Sequence, residues 1–176
     1  NSYVTDLEMN RVQKFDSSGL YISEFGEEGT GNGQFDRPRG IAIDADGNIV
    51  VADFGNHRIQ KFDSSGNYIS QFATDGFDVG QQGLPGDIDF DSSGNIYVLD
   101  FGYSFVSKYS STGTFISRWG AYGSADGEFR SPAGITVDGS NNVFVADTVN
   151  NRIQKFDSNG NFQSKWGSEG TADGQF

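Results

Sequence analysis

The sequence predicts an all-β repeat array, on three observations: a gap-free period of 47 residues, short strand signals repeated within each period, and no stretch with helical spacing and caps. Pro38, Pro85 and Pro132 mark the step; Asp6, Asp53, Asp100 and Asp147 keep it, as do Lys14, Lys61, Lys108 and Lys155. Gly29, Gly76, Gly123 and Gly170 are also in phase. A period of this length belongs to stacked or ring-shaped arrays, in which one module cannot bury its own faces.

The second repeat shows the elements in order. Gly40-Ile41-Ala42-Ile43-Asp44 is a short β-branched run, followed by the hairpin chemistry of Asp44-Ala45-Asp46-Gly47-Asn48. Ile49–Asp53 is a second strand, with Phe54–His57 as the next turn. Arg58–Phe62 is a third, ended by Asp63-Ser64-Ser65-Gly66-Asn67, and Tyr68–Phe72 is a fourth. A long glycine-rich connection, such as Gly26 to Arg39, leads into the next repeat. Four antiparallel strands joined by tight turns, then a longer crossover, describe a β-propeller blade. The second strand is almost wholly apolar, as expected of a sheet covered on both faces. Gly66, Gly113 and Gly160 are expected to supply positive φ in the hairpin turns.

The whole chain, 1–176, is expected to be one propeller segment, with a truncated repeat at 1–35 and full ones at 36–82, 83–129 and 130–176. Fifteen strands follow, three in the first repeat and four in each of the others. Four full periods need 188 residues, twelve more than the 176 present, and the missing piece corresponds to Asp36–Gly47. The chain is therefore expected to be an incomplete segment of a ring. Further blades of a parent protein, or another copy, would complete it.

Lys and Arg total 12 against 24 Asp and Glu, a net charge of −12. Such a surface repels phosphate backbones, so no nucleic acid is expected as a partner. Cysteine is absent, which excludes disulfides, thiolate zinc sites and a cysteine nucleophile. No apolar run approaches membrane-spanning length, so no membrane insertion is expected.

The repeating words are Gly-Gln-Phe-x-x-Pro-x-Gly-Ile-Ala-Ile-Asp, then Asp-Gly-Asn-Ile-x-Val-Ala-Asp, then Asn-His/Asn-Arg-Ile-Gln-Lys-Phe-Asp. They resemble the NHL repeat, whose Asn-His-Leu appears here as Asn56-His57-Arg58 and Asn150-Asn151-Arg152. The resemblance covers the whole chain. It implies a propeller, commonly six-bladed, and a family that includes RNA- and protein-binding modules, a zinc-dependent peptide-amidating lyase and secreted bacterial proteins. Related six-bladed folds include lactonases and streptogramin lyases.

Each chemistry has a test in the residues. A zinc lyase needs several histidines; this chain has one, His57, which reads as a turn residue. No catalytic constellation, metal site or cofactor site is expected. Asp6, Asp53, Asp100 and Asp147 could ring a cation, but repetition in every blade favours structure: each caps the following turn or pairs with Arg11, Arg58 or Arg152. Asp44–Asn48 resembles a calcium loop briefly, yet its twelfth position is Gly55, not an acid, so it reads as a hairpin turn. Gly29-Thr30-Gly31-Asn32-Gly33 lacks the Lys-Ser/Thr ending of a phosphate loop.

The third repeat departs from the others. Gly40-Ile41-Ala42-Ile43 becomes Asp87-Ile88-Asp89-Phe90, Asn56-His57-Arg58 becomes Tyr103-Ser104-Phe105, and the Phe of Gly-Gln-Phe becomes Gln82. Antiparallel geometry is expected to bring Asp87, Tyr103 and Phe105 to one rim, with Asp89 near the channel. Aromatic surface beside carboxylates suits a sugar, an amine or a basic peptide, so these four are the candidate ligand-binding residues; neutral drift in one blade is the bland alternative. The function expected is a non-enzymatic binding or assembly scaffold of an extracellular or cell-surface prokaryotic protein, with a protein, peptide or carbohydrate ligand. The alternatives are part of a propeller lyase or lactonase whose catalytic residues lie outside the chain, and a purely structural array.

Overall fold

A computed structural model describes residues 1–74 and 83–176, so Gly76 and Gln82 lie outside the described residues. The chain divides into two compact halves, Asn1–Pro85 and Gly86–Phe176. In the first half, β1 (Ser2–Asp6), β2 (Arg11–Phe15) and β3 (Tyr21–Phe25) form one sheet. The second sheet there is β4 (Pro38–Ile43), β5 (Ile49–Asp53), β6 (Arg58–Phe62) and β7 (Tyr68–Phe72). The other half holds β8 (Pro85–Phe90), β9 (Ile96–Asp100), β10 (Phe105–Tyr109) and β11 (Phe115–Trp119). Its second sheet is β12 (Gly134–Val137), β13 (Val143–Asp147), β14 (Arg152–Phe156) and β15 (Phe162–Trp166). These fifteen strands fall into one three-stranded and three four-stranded sheets, each in sequence order, as the repeat predicts. One 3-10 turn, Thr148–Asn150, is the helical element among the described residues.

Local chemistry sets the strand ends. Asp44 shows the inner turns: its N–H donates to the Asn48 carbonyl, and its Oδ1 accepts the Asp46 and Asn48 N–H groups. Asp63, Asp91, Asp138 and Asp157 close their turns the same way, so the Asp44 segment is a hairpin turn. Gly66, Gly113 and Gly160 have φ of 87°, 83° and 85°. The first strand of the second repeat begins at Pro38, two residues before the predicted Gly40, because a bulge between Pro38 and Ile41 extends the pairing back to Asp53. Proline is tolerated as the first residue of a strand, where its missing N–H costs no ladder bond. A further bulge recurs at the lysine–aromatic step of the third strand, between Lys14/Phe15, Lys61/Phe62, Lys108/Tyr109 and Lys155/Phe156.

Each half has a core between its two sheets. In the first, Val12 with Tyr3 and Phe25 meets Ile49, Val51 and Phe62, and Phe35 fills the space between. In the other, Tyr97, Leu99, Val106 and Trp119 meet Ile135, Val143, Val145 and Phe156, with Phe129 in the matching place. One sheet presents one face to the next, so the apolar second strand needs cover on both sides.

Candidate functional site

Asp53 and Asp147, which end the second strands of their blades, sit in a polar node. Asp53 is fully buried. Its Oδ2 accepts from Arg58 Nε at 2.8 Å and Gln60 Nε2 at 3.0 Å, and its Oδ1 accepts from the Asp36 N–H at 2.8 Å and Asn56 Nδ2 at 3.1 Å. Arg58 then donates its terminal nitrogens to the carbonyls of Thr30, Gly31 and Gln34 and to Gln71 Oε1. All five guanidinium N–H groups are thereby used, which is what a buried arginine requires. Asp147, Asn150, Arg152 and Gln154 repeat the arrangement around the 124–128 loop. Arg11 also pairs with Asp6, at 3.3 Å. These acids both cap the following turn and pair with arginine, so their charge is committed to structure.

His57 has φ 53°, in the same turn position as Asn10, Ser104 and Asn151 at 52°, 59° and 50°. Its Nδ1 faces the Gly83 carbonyl oxygen. Among the described residues no group of His, Cys, Asp or Glu could hold a metal ion.

The four residues singled out in the third repeat form two pairs, Asp87 with Asp89 on β8, and Tyr103 with Phe105 where the turn enters β10. Asp87 and Asp89, two apart on β8, turn toward β12. Asp87 Oδ2 accepts the Ile135 N–H at 2.9 Å. Asp89 Oδ2 accepts the Val137 N–H at 2.7 Å and the Thr136 hydroxyl at 3.0 Å. β12 pairs only with β13 in its sheet, so alternate N–H groups face outward, and the two-residue step of the acids matches them. Burial pushes the Asp87 carboxyl above its ordinary range, and the Asp89 charge adds to this, against hydrogen bonds from the Ile135 and Ile88 N–H groups.

Tyr103 and Phe105 stack with ring centroids 6.4 Å apart and an interplanar angle of 10°. Tyr103 is 43% exposed, while Phe105 is 9% exposed with the Arg118 guanidinium 3.8 Å from its ring centroid. The aromatic available to a ligand is therefore Tyr103, with Phe105 as its support. Reading the sequence alone missed Ser107 and Arg118. In phase, Asn56, Arg58 and Gln60 become Tyr103, Phe105 and Ser107, so three members of the polar node change together around a still-buried Asp100. Arg118 Nε donates to Ser107 Oγ at 3.0 Å and lies over Phe105. The signal was the loss of Gln at Ser107, visible once the node is known.

A groove of about 430 Å³ lies on the fourth sheet, lined by Asp87, Ile135, Thr136, Phe144, Ile153 and Trp166.

The family model described as NHL repeat matches residues 35–62 and 129–156. The chain carries NHL repeats in these two stretches. Both matched stretches hold a complete Asp–Asn–Arg–Gln node, so the NHL signature here is a set of residues that pins the preceding loop to the blade. No curated protein matches the chain. Among solved structures it resembles a streptogramin B lyase, at 19% identity over 93% of this chain and 50% of that one, TM-score 0.71. It resembles a chain of a nidogen/laminin complex, at 20% identity over 93% and 57%, TM-score 0.72. A gluconolactonase from Xanthomonas campestris follows at 14% identity over 88% and 54%, TM-score 0.65. At these identities the likeness is one of fold: NHL repeats forming a β-propeller architecture. The chain spans about half the length of the structures it matches.

Proposed function

We propose that this NHL chain is a non-enzymatic binding scaffold of a secreted or cell-surface protein, taking a basic peptide, a protein surface or a sugar at its third repeat. Tyr103 carries the reading: its ring is exposed and held parallel to Phe105, in the repeat where the pinning node has been replaced and two acids added. An aromatic face held rigid loses little entropy on contact with a partner, and such a face favours cations and sugar rings. Asp87 and Asp89 each give Oδ2 to an N–H of β12 and Oδ1 to the next N–H of their own strand, which fixes both carboxylates against the backbone. The nidogen likeness supports protein binding as a use of this architecture. Among the described residues no helix is long and apolar enough to cross a membrane.

The lyase and lactonase likenesses favour a second reading, in which the catalytic groups lie beyond this chain. One fold hosts both uses, so the site must decide. His57, as a left-handed turn residue facing a carbonyl, supports the binding reading.

The test is to pan a random peptide library and a glycan array against the chain and its Tyr103→Ala variant. Ligands rich in basic or hydroxyl groups are expected, with affinity falling about tenfold in the variant, as for a truncated aromatic anchor. Equal binding by both proteins, or by neither, overturns the rim.

A further inference from the structure

We propose that the open face of the fourth sheet takes the first sheet of a second copy of this chain, head to tail. This goes beyond the binding reading and does not depend on it.

The chain contains the same sheet-to-sheet junction twice, once in each half. In the first half Phe25 lies on Gly66, where an added Cβ would stand 2.7 Å from its ring. In the other half Trp119 lies on Gly160 in the same way, at 2.4 Å. Phe35 stands 5.5 Å from Phe62, and Phe129 stands 5.7 Å from Phe156. Lys14 Nζ donates to the Ser64 carbonyl at 2.8 Å, and Lys108 Nζ to the Ser158 carbonyl at 3.0 Å. Gly33 N–H donates to Gln60 Oε1 and Gly127 N–H to Gln154 Oε1.

The two ends of the chain carry opposite halves of this junction. On the fourth sheet, Phe144, Ala146, Ile153 and Trp166 occupy the positions of Tyr97, Leu99, Val106 and Trp119, which are covered within their half. Here they line an open groove. Trp166 is 46% exposed and Phe176, in phase with Phe35 and Phe129, is 55% exposed. On the first sheet, Gly19 is in phase with Gly66 and Gly160, yet an added Cβ there would meet nothing within 4 Å. Phe15 stands where Phe62 and Phe156 receive the plugging phenylalanine, and Gln13 and Arg11 stand where Gln60 and Arg58 grip the preceding loop.

The vacancies are complementary. Trp166 lacks a glycine, and Gly19 lacks an aromatic. Phe176 lacks the ring that Phe15 offers, and Gly174 is in phase with the glycines that donate to Gln60 and Gln154. These aromatic, glycine and glutamine contacts require only β1–β3 and their turns on the first sheet, which has no counterpart of Ile41 or Ile135. A head-to-tail contact of this kind closes into a ring where the rotation allows, and otherwise extends.

Sedimentation equilibrium of the 176-residue chain at physiological salt tests this. The expected mass exceeds that of one chain. Trp166→Asp spoils one face, and Gly19→Phe fills the other; each alone is expected to sediment as one chain. Mixed one to one they retain one good junction, so the mixture is expected to reach two chains and stop. Phe15→Asp, checked for retained β-structure by circular dichroism, is a second block of the Gly19 face. Wild-type chain that stays single up to sub-millimolar concentration overturns the proposal, and leaves the face to another protein or to further blades. So does self-association of either single variant, or a mixture that remains single chains.

Discussion

Asp89 Oδ2 accepts the backbone N–H of Val137 at 2.7 Å, so a side chain from one blade completes the edge of the next blade's first strand. An outward N–H on an edge strand needs an acceptor when it is covered, and here the acceptor is a carboxylate. Asp89→Ala removes it and leaves the Val137 N–H and the Thr136 hydroxyl without that partner. The expected loss is about 1–3 kcal/mol in urea unfolding of the C-terminal half. Asp89→Asn keeps an acceptor oxygen and is expected to lose less. Unchanged stability in Asp89→Ala would show that the bond contributes nothing net.

The Asp147–Arg152 pair, at 2.7 Å and almost wholly buried, gives a second prediction. Arg152→Met leaves the buried Asp147 carboxylate without its cation and the Ser124, Ala125 and Glu128 carbonyls without that donor, with an expected cost of about 3–5 kcal/mol. Asp147→Asn combined with Arg152→Met removes both charges and is expected to cost less than the single change. A double variant weaker than the single by the full additive amount would count against a stranded charge as the cause.

Much of the fold was legible because one period repeats four times without a gap. The bounds of Ile49–Asp53, Arg58–Phe62 and Tyr68–Phe72 follow from β-branched runs closed by Asp-Gly-Asn turns, which act locally. The Pro38 start was hidden because a bulge depends on the partner strand. The site was legible in part. Departure from the repeat marked Asp87, Asp89, Tyr103 and Phe105, but their partners lie at long range. Ile135 and Val137 are 48 residues from the acids they bond, and no periodic pattern announces a side chain reaching an edge strand. Ser107 escaped notice because a serine in a strand carries no signal until the Gln60 bond to Asp53 is seen.

Acid pH should act on the turns and on Asp87 in opposite senses. Asp91 is partly buried, but hydrogen bonds from Asn95, Ser93 and Tyr97 outweigh burial and hold its carboxyl below the ordinary 3.8. A lowered folded value means stability is fully present above 3.8 and is lost as pH falls through the folded value. Asp44, Asp138 and Asp157 behave alike. The Asp87 carboxyl is raised by burial, so ionising it costs stability, and the cost is relieved as pH falls through its raised value toward 3.8. Unfolding temperature of the C-terminal half is expected to rise modestly on mild acidification, then fall at stronger acid. Asp87→Asn should abolish the rise and keep the fall. A rise that survives in this variant assigns it to another group.

The junction glycines supply a comparison in which backbone strain cancels. Gly66 and Gly19 occupy the same turn of adjacent repeats, with φ of 87° and 80°. An alanine at either position suffers the left-handed penalty of about 1–2 kcal/mol. At Gly66 its Cβ would also stand 2.7 Å from the Phe25 ring and 3.0 Å from its Cβ, too near the backbone for the ring to swing clear. At Gly19 no atom lies within 4 Å. Gly66→Ala is therefore expected to lose about 1–3 kcal/mol more than Gly19→Ala, the cost of overpacking a filled junction. Both changes lie in the N-terminal half, so one unfolding transition reports on both, measured dilute enough that the chain is single. Equal losses would mean that aromatic contact with the turn glycine is not what holds one blade to the next.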